Sequence, residues 1–136
     1  MPQAHLLAAA PLYAGAGVGG ADNARLYAGY RLPSLQFRGG EAAHSAEALG
    51  YAGGAGVRGI ALAYVGGYKF DAFSLHARLG LGYGGAAARR LGALYGFGSA
   101  YALDADWSLH VDWDSVPGDA ARGRRTLFTT GLSRRF

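Results

Sequence analysis

The chain has 136 residues, enough for one domain with a single core, and a formal net charge of +4. It contains no cysteine, which excludes a disulfide framework and a thiolate metal site. Glycine accounts for 24 residues, yet 51% of the chain is hydrophobic, so the composition fits neither a disordered linker nor collagen. Lys69 is the only lysine, and no stretch reaches the roughly 20 apolar residues of a membrane-spanning helix.

The first ten residues, MPQAHLLAAA, carry no basic segment and only a short apolar run, unlike a secretory signal. The missing signal says nothing against export of the protein. We expect residues 1–10 to be a leader remnant or disordered, and residues 11–136 to form the folded domain.

Apolar and polar residues alternate with a period of two along most of the chain, which is the pattern of β-strands. No segment follows a helical period. Each alternating segment is close to the roughly 9–11 residues that a tilted membrane-spanning strand requires. Eight segments alternate in this way, at residues 12–19, 24–32, 34–39, 60–70, 73–84, 95–103, 107–113 and 128–136.

The connections between these segments also fall into two groups. Tight turns are predicted at residues 32–34, 70–73 and 103–107. The other connections are a short one at 20–23 and longer loops at 39–56, 84–92 and 115–124. Tight turns at one end and longer loops at the other are typical of an up-and-down barrel.

The positions that alternate with the apolar ones, which we call the polar phase, decide which face would point outward. This phase is mostly glycine, interrupted by charged residues such as Arg25, Arg78 and Asp112. A solvated surface has no need for glycine, whereas a narrow barrel interior needs small residues beside long charged ones. The apolar phase is bulky and aromatic, as a lipid-facing band is. We therefore predict an eight-stranded antiparallel up-and-down transmembrane β-barrel; a soluble lipocalin-like barrel, apolar inside, is the alternative.

Aromatic residues concentrate toward both ends of the predicted strands, as in the belts that lie at the two membrane interfaces. The set near the tight turns and the chain end is Tyr30, Tyr68, Phe70, Phe73, Tyr101, Trp107 and Phe136. The set nearer the loops is Tyr64, Tyr83, Tyr95, Trp113 and Phe128.

The chain end resembles the C-terminal signature of bacterial outer-membrane barrels. In that signature, a terminal aromatic residue and apolar residues at two-residue intervals are recognised by the barrel insertion machinery. Phe128, Leu132 and Phe136 match it. Arg134 departs from it, because that position usually carries an aromatic residue.

The ordered series LYAGAGVG, RLYAGYRL, FSLHARLGLGYG, LYGFGSAYAL, DADWSLHVDW and GLSRRF resembles the eight-stranded OmpA-type outer-membrane barrel family, over residues 12–136. The resemblance implies a bacterial outer-membrane protein with periplasmic termini, in contact with lipid and lipopolysaccharide. We predict a monomer without cofactor, and no periplasmic peptidoglycan-binding domain after the barrel.

Two stretches, FSLHAR and WSLHVD, follow predicted tight turns by the same count. Strands two apart in a sheet are separated by roughly 10 Å, within reach of an arginine across a narrow lumen. We predict that Arg78 and Asp112 form an interior ion pair flanked by His76 and His110, since buried charges require partners. The family resemblance also implies a charged plug. The predicted interior network comprises Arg38, His76, Arg78, His110 and Asp112.

The same stretches allow a competing interpretation as a metal site. His76, His110 and Asp112 would supply three ligands, which can suffice for zinc. Arg78 beside them would repel a cation, so we predict no metal site.

Arginines also lie in the predicted loops, with Arg58 facing outward near the same rim. Guanidinium groups suit the phosphates of lipopolysaccharide, and a plain solvated rim is the alternative. No aromatic platform accompanies these arginines, so we expect no nucleic-acid binding. The candidate lipopolysaccharide contacts are Arg58, Arg89, Arg90, Arg122 and Arg124.

Two further motifs are weak. GAGVGG and GLGYGG satisfy the dinucleotide pattern, but both continue a strand rather than open a helix, so no nucleotide site is expected. AHSAE offers His44, Ser45 and Glu47, the residue types of nucleophilic catalysis. Outer-membrane lipid A deacylases require a His-x-Ser spacing on a lipid-facing strand, which this stretch lacks, and we interpret it as a polar loop.

The sequence therefore predicts a small non-enzymatic outer-membrane protein with a structural or surface-interaction role and a lumen blocked by charged side chains. A narrow anion-leaning pore is the alternative, because Arg25, Arg31, Arg38 and Arg78 are predicted to face inward against few acids. A lipid-modifying enzyme is disfavoured, since no catalytic set falls on a predicted strand.

Overall fold

The computed structural model describes residues 12–20, 23–33, 35–37, 40–53, 56–85, 89–117 and 124–136. The predicted leader at residues 1–10 lies outside this part of the chain. None of the described residues belongs to a helix long and apolar enough to cross a bilayer. Their strands are β1 (Leu12–Gly19), β2 (Asn23–Arg31), β3 (Leu35–Phe37), β4 (Gly40–Ala52), β5 (Arg58–Phe70), β6 (Phe73–Gly85), β7 (Arg90–Ala102), β8 (Trp107–Pro117) and β9 (Arg124–Arg135).

The strands close into a barrel. Neighbours along the chain pair antiparallel from β4 to β9, and β1 pairs with both β2 and β9. The ring is completed by β2, which pairs with β4 from Ala24↔Ala52 to Arg31↔Ser45. β3 continues the line of β2 along the edge of β4, so β2 and β3 together count as one strand of the barrel. The barrel therefore has eight strands. The predicted eight-stranded antiparallel up-and-down β-barrel is confirmed.

One strand differs from the prediction. Residues 39–56, predicted to be a long loop, contain the 13-residue strand β4. The segment at 34–39 was predicted to be a separate strand, but its described residues 35–37 only continue the line of β2 along β4. The outward-facing phase of GEAAHSAEALGYA holds alanine, glycine and His44 but no large apolar residue, so this strand lacks the alternation that marks the others.

The predicted tight turn at residues 32–34 is therefore wrong, because β2 and β3 both pair with β4 on the same side. Only the strand pairing is interrupted between β2 and β3. Proline has no backbone N–H to donate to a ladder. On the outer face, His44 Nε2–H donates to the Pro33 carbonyl at 2.8 Å, and Tyr64 O–H donates to His44 Nδ1 at 2.8 Å. His44, which is itself held by Tyr64, thus gives the Pro33 carbonyl a hydrogen-bond partner that the interrupted strand pairing does not provide.

The tight connections at 71–72 and 103–106 lie at the end of the barrel that also holds Leu12 and Phe136. Asp71 adopts the left-handed region with φ 56°, which aspartate tolerates. Asp104 accepts the backbone N–H groups of Asp106 and Trp107 at 2.8 and 2.9 Å, and these bonds lower the pKa of its carboxyl group. Phe136 N–H donates to the Leu12 carbonyl at 2.9 Å.

The apolar phase points outward, as predicted. Leu62 and Leu91 are 70% and 69% exposed, whereas the inward-facing Leu94 is 0% exposed. A soluble barrel would have the opposite arrangement, with its apolar side chains inside. Further outward-facing large side chains are Leu26, Ile60, Leu75, Leu79, Leu81, Phe97, Tyr101, Leu109, Phe128 and Leu132.

Apolar side chains fill the lumen toward the longer-loop end, which we call the apolar plug. Tyr51 crosses the lumen face of Gly59 on β5 and Gly84 on β6, and its O–H donates to the Pro117 carbonyl at 3.2 Å. A Cβ at Gly59 or Gly84 would overlap the Tyr51 ring, so glycine is required there. The plug consists of Leu49, Tyr51, Val57, Ala61, Leu94, Val116 and Leu127.

We predict that Gly59→Ala destabilises the barrel because its Cβ would overlap Tyr51. Overpacking of this kind costs about 1–3 kcal/mol, measurable by urea unfolding of the protein in lipid vesicles or detergent micelles. Gly50→Ala is the matched control, since a Cβ there meets only the Gly59 carbonyl oxygen at 3.9 Å. Equal stability of the two variants would contradict the close approach of Tyr51 to β5.

Candidate functional site

Five charged side chains meet in the middle of the lumen and form what we call the charged network. The network consists of Arg25 on β2, Glu47 on β4, Arg78 on β6, and Asp112 and Asp114 on β8. Each is at most 5% exposed. Their strands place them there because all five belong to the inward-facing phase. Buried charges are tolerated only when they are paired, and these are.

Asp114 joins the two arginines. Its Oδ1 lies 2.8 Å from Arg78 Nη1, and its Oδ2 lies 3.3 Å from Arg25 Nη1. Arg25 Nη2 contacts Asp112 Oδ2 at 2.7 Å, and Arg78 Nε contacts Glu47 Oε1 at 3.0 Å. Four strands of the barrel are thus linked by one connected set of charge-assisted hydrogen bonds, which are stronger than neutral ones.

Glycines on β7 allow contacts between its two neighbouring strands. Gly96 is paired with Arg78 on one side and Asp114 on the other, and Gly98 is paired with His76 and Asp112. A Cβ at Gly96 would overlap Asp114 Oδ1, and one at Gly98 would overlap Asp112 Oδ1. Side chains of β6 and β8 therefore meet directly over the bare backbone of β7.

Further polar side chains extend the network toward the tight-turn end. Tyr13 O–H donates to Glu47 Oε2 at 2.8 Å, and its oxygen also lies 2.8 Å from Ser45 Oγ. His76 Nε2 lies 2.6 Å from Asp112 Oδ1. His110 Nε2 lies 2.7 Å from Ser133 Oγ. Since Tyr13 reaches Glu47 over Gly29, this contact repeats the geometry seen at β7.

The structure brings four of the five predicted network residues together, and Arg38 lies outside the described residues. Arg78 Nη1 approaches Asp112 Oδ1 at 3.7 Å, as predicted, but the shortest contacts of Arg78 go to Glu47 and Asp114. His76 contacts Asp112 directly. His110 does not, because its Nδ1 remains 3.9 Å from Asp112 Oδ2.

Arg25, Glu47 and Asp114 are the functional residues that the sequence analysis did not place in the network. Arg25 was predicted to face inward, but its partners lie on β8, 87 and 89 positions away in sequence. Glu47 was assigned to a loop. The length of that predicted loop, residues 39–56, was the available signal, since structureless loops longer than about 12–15 residues are uncommon in compact domains.

A cavity of about 350 Å³ lies between the charged network and the tight-turn end, and we call it the vestibule. His76, His110 and Glu47 lie at its inner end, where the network begins. Arg31 and Asp106 also line it, so its wall carries charges of both signs.

The predicted lipopolysaccharide contacts lie at the longer-loop end where they are described, and Arg122 lies outside the described residues. Arg58, Arg89 and Arg90 are exposed there. Arg124 is half-buried: its Nε donates to Ser115 Oγ at 2.7 Å, and its guanidinium lies 4.7 Å from the Tyr95 ring centre. Arg124 is therefore held against the barrel wall.

The three residues of the predicted C-terminal signature, Phe128, Leu132 and Phe136, all face outward and are exposed. Arg134, which departs from the signature, lies between two aromatic rings. Its guanidinium carbon is 5.6 Å from the Trp107 ring centre and 5.5 Å from that of Phe136. The planar guanidinium of Arg134 thus contacts the rings of Trp107 and Phe136, which an aromatic residue at this position would also contact.

The AHSAE stretch is a strand rather than the predicted loop, and it divides its residues between two faces. Ser45 and Glu47 point into the lumen, whereas His44 is on the outer face with Tyr64 and Pro33. His44 and Ser45 thus point in opposite directions and do not form a catalytic pair.

Comparisons with known proteins identify no relative: no protein-family model matches the chain, and no curated protein matches it.

We predict strong energetic coupling between Glu47 and Arg78, which the interior geometry pairs at 3.0 Å. Arg78→Met should cost about 3–5 kcal/mol because it removes the arginine that pairs with Glu47 and one of the two that pair with Asp114. In a double-mutant cycle with Glu47→Gln, the interaction energy should reach about 0.5–3 kcal/mol.

The cycle is measured by urea unfolding in vesicles, with the same cycle between Glu47→Gln and Arg58→Met as control. Arg58 is exposed at the barrel end, so its change should add to that of Glu47 within about 0.5 kcal/mol. Additive costs for the Glu47 and Arg78 pair would show that their contact does not stabilise the barrel.

Proposed function

We propose that this protein is a small, monomeric, non-enzymatic β-barrel of the bacterial outer membrane, with a structural or surface-interaction role. The observation that carries the proposal is the distribution of side chains around the closed barrel. Large apolar residues cover the outside, and paired charges fill the centre. The sequence resemblance to the OmpA-type family supports the same assignment.

The outer surface favours contact with lipid over contact with water. Soluble monomers rarely expose contiguous apolar patches larger than a few hundred Å². Here Leu62, Leu79 and Leu91 are 65% exposed or more, and aromatic side chains such as Phe97, 61% exposed, lie on the same outer face. A closed barrel pairs its ladder groups without a free edge, which is what a bilayer requires of β-structure.

The contents of the lumen favour a closed barrel over the anion-leaning pore. The apolar plug fills one half, and the charged network spans the centre. Three buried carboxylates, Glu47, Asp112 and Asp114, face the two buried guanidiniums of Arg25 and Arg78. Among the described buried residues of the lumen, the excess of inward arginine that motivated the pore is therefore reversed.

In the proposed orientation, the tight turns and both chain ends are periplasmic, and the longer loops are extracellular. Arg58, Arg89 and Arg90 would then be available to lipopolysaccharide phosphates. Phe128, Leu132 and Phe136 would serve as the signal for the insertion machinery. These partners remain proposals drawn from the resemblance and from the exposure of the residues.

We predict that the protein folds in detergent or lipid vesicles and migrates faster on a gel when it is not boiled. In Trp113→Phe, the remaining tryptophan is Trp107, which is 39% exposed on the outer face. Brominated lipid should quench its fluorescence. A protein that stays folded and monomeric in plain buffer, with Trp107 unaffected by brominated lipid, would contradict the membrane assignment.

Planar-bilayer recording separates the closed barrel from the pore. We expect no steady conductance steps, because the apolar plug and the charged network both obstruct the lumen. A porin recorded in the same bilayer controls for the insertion conditions. Steady anion-selective steps from the folded protein would support the pore instead.

A further inference from the structure

We propose that His76, His110 and Asp112 form a binding site for a divalent transition-metal ion, zinc above all, at the inner end of the vestibule. One possible ligand atom from each residue lies within 4.8 Å of the others. The three residues come from β6 and β8, which meet over Gly98. The inference concerns the barrel interior and does not depend on the membrane location of the protein.

His110 supplies the observation that points to a ligand. Its Nδ1 atom is buried and has no hydrogen-bond partner, while its Nε2 atom is held by Ser133 Oγ at 2.7 Å. When Nε2–H donates to Ser133, the lone pair of Nδ1 faces Asp112, 3.9 Å from Oδ2. A hydrogen-bond acceptor that orients the second nitrogen of a ligating histidine is a recurrent feature of metal sites, and Ser133 Oγ would have this role for His110.

The charge balance in the lumen permits a cation here. The sequence analysis disfavoured a metal because Arg78 lies nearby. In the structure, Arg78 is engaged by Glu47 at 3.0 Å and Asp114 at 2.8 Å, which offset its charge. With three buried carboxylates against two buried guanidiniums, the described network carries one negative charge in excess when its histidines are neutral.

One carboxylate oxygen of Asp112 would bind the metal, and the other is held by an arginine. Its Oδ2 is held by Arg25 at 2.7 Å, which orients the carboxylate as hydrogen-bonded neighbours do for metal ligands. Its Oδ1 now contacts His76 Nε2 at 2.6 Å. A metal would replace the shared proton of this contact and bind both atoms.

The spacing and the donor types fit zinc. Zinc bonds of roughly 2.0–2.2 Å in tetrahedral geometry place nitrogen and oxygen ligands about 3.3 Å apart. His76 Nε2 lies 2.6 Å from Asp112 Oδ1, and the candidate ligand atoms of all three residues lie within 4.8 Å of one another. Two imidazoles and one carboxylate suit zinc better than magnesium or calcium, which prefer oxygen ligands. The fourth position would open to the vestibule and take a water molecule.

The test is calorimetric titration of the folded barrel with zinc chloride, in a background that carries His5→Ala and His44→Ala. Because the chain has four histidines, this background retains only His76 and His110. We expect one zinc ion per chain. Adding His76→Ala or His110→Ala should weaken binding by more than about tenfold, and Ser133→Ala should weaken it by about tenfold or more, as losses of orienting groups do.

Gel mobility without boiling establishes that each variant is folded, so that lost binding is not lost structure. If a histidine variant does not fold, cobalt(II) added to the background protein gives the answer. A visible ligand-field band that zinc abolishes supports the site, and no band overturns it. Absence of saturable zinc binding in the background, or equal affinity in a folded His110→Ala variant, also overturns the proposal.

Discussion

The narrow lumen of an eight-stranded barrel is the constraint on which the rest of this structure depends. Its interior has space for side chains but not for one at every inward position. Large inward residues therefore lie over glycine on an adjacent strand, as Tyr51 lies over Gly59 and Tyr13 lies over Gly29. The high glycine content of the chain follows from this packing rule rather than from flexibility.

The same rule determines which residues can interact. Side chains of β6 and β8 meet across β7 because Gly96 and Gly98 leave its inner face bare at the height of the network. Arg78 thereby reaches Asp114, and His76 reaches Asp112. Substitution of either glycine would thus act on the ion pairs, although neither residue carries a charge.

The fold followed from the sequence because alternation and glycine placement are local signals. The barrel, its outward apolar face and the proximity of Arg78 to Asp112 could be inferred from them. β4 could not, because its outward face carries alanine, glycine and His44 in place of large apolar residues, which conceals the alternation. Missing β4 removed Glu47 from the interior, and with it the carboxylate that compensates Arg78. The unpaired nitrogen of His110 depends on the position of Ser133, which no sequence pattern specifies.

Paired interior charges also explain how strand register is specified in a barrel with an apolar exterior. Many outward positions carry interchangeable leucine or aromatic residues, so they discriminate weakly between registers. A slip of one residue in β8 would move Asp112 and Asp114 to the outer face. A slip of two residues would put one of them in the place of the other and move the second away from Arg25 and Arg78. Only the observed register pairs every charge of the network, so the charged network selects the alignment that the apolar surface alone leaves open.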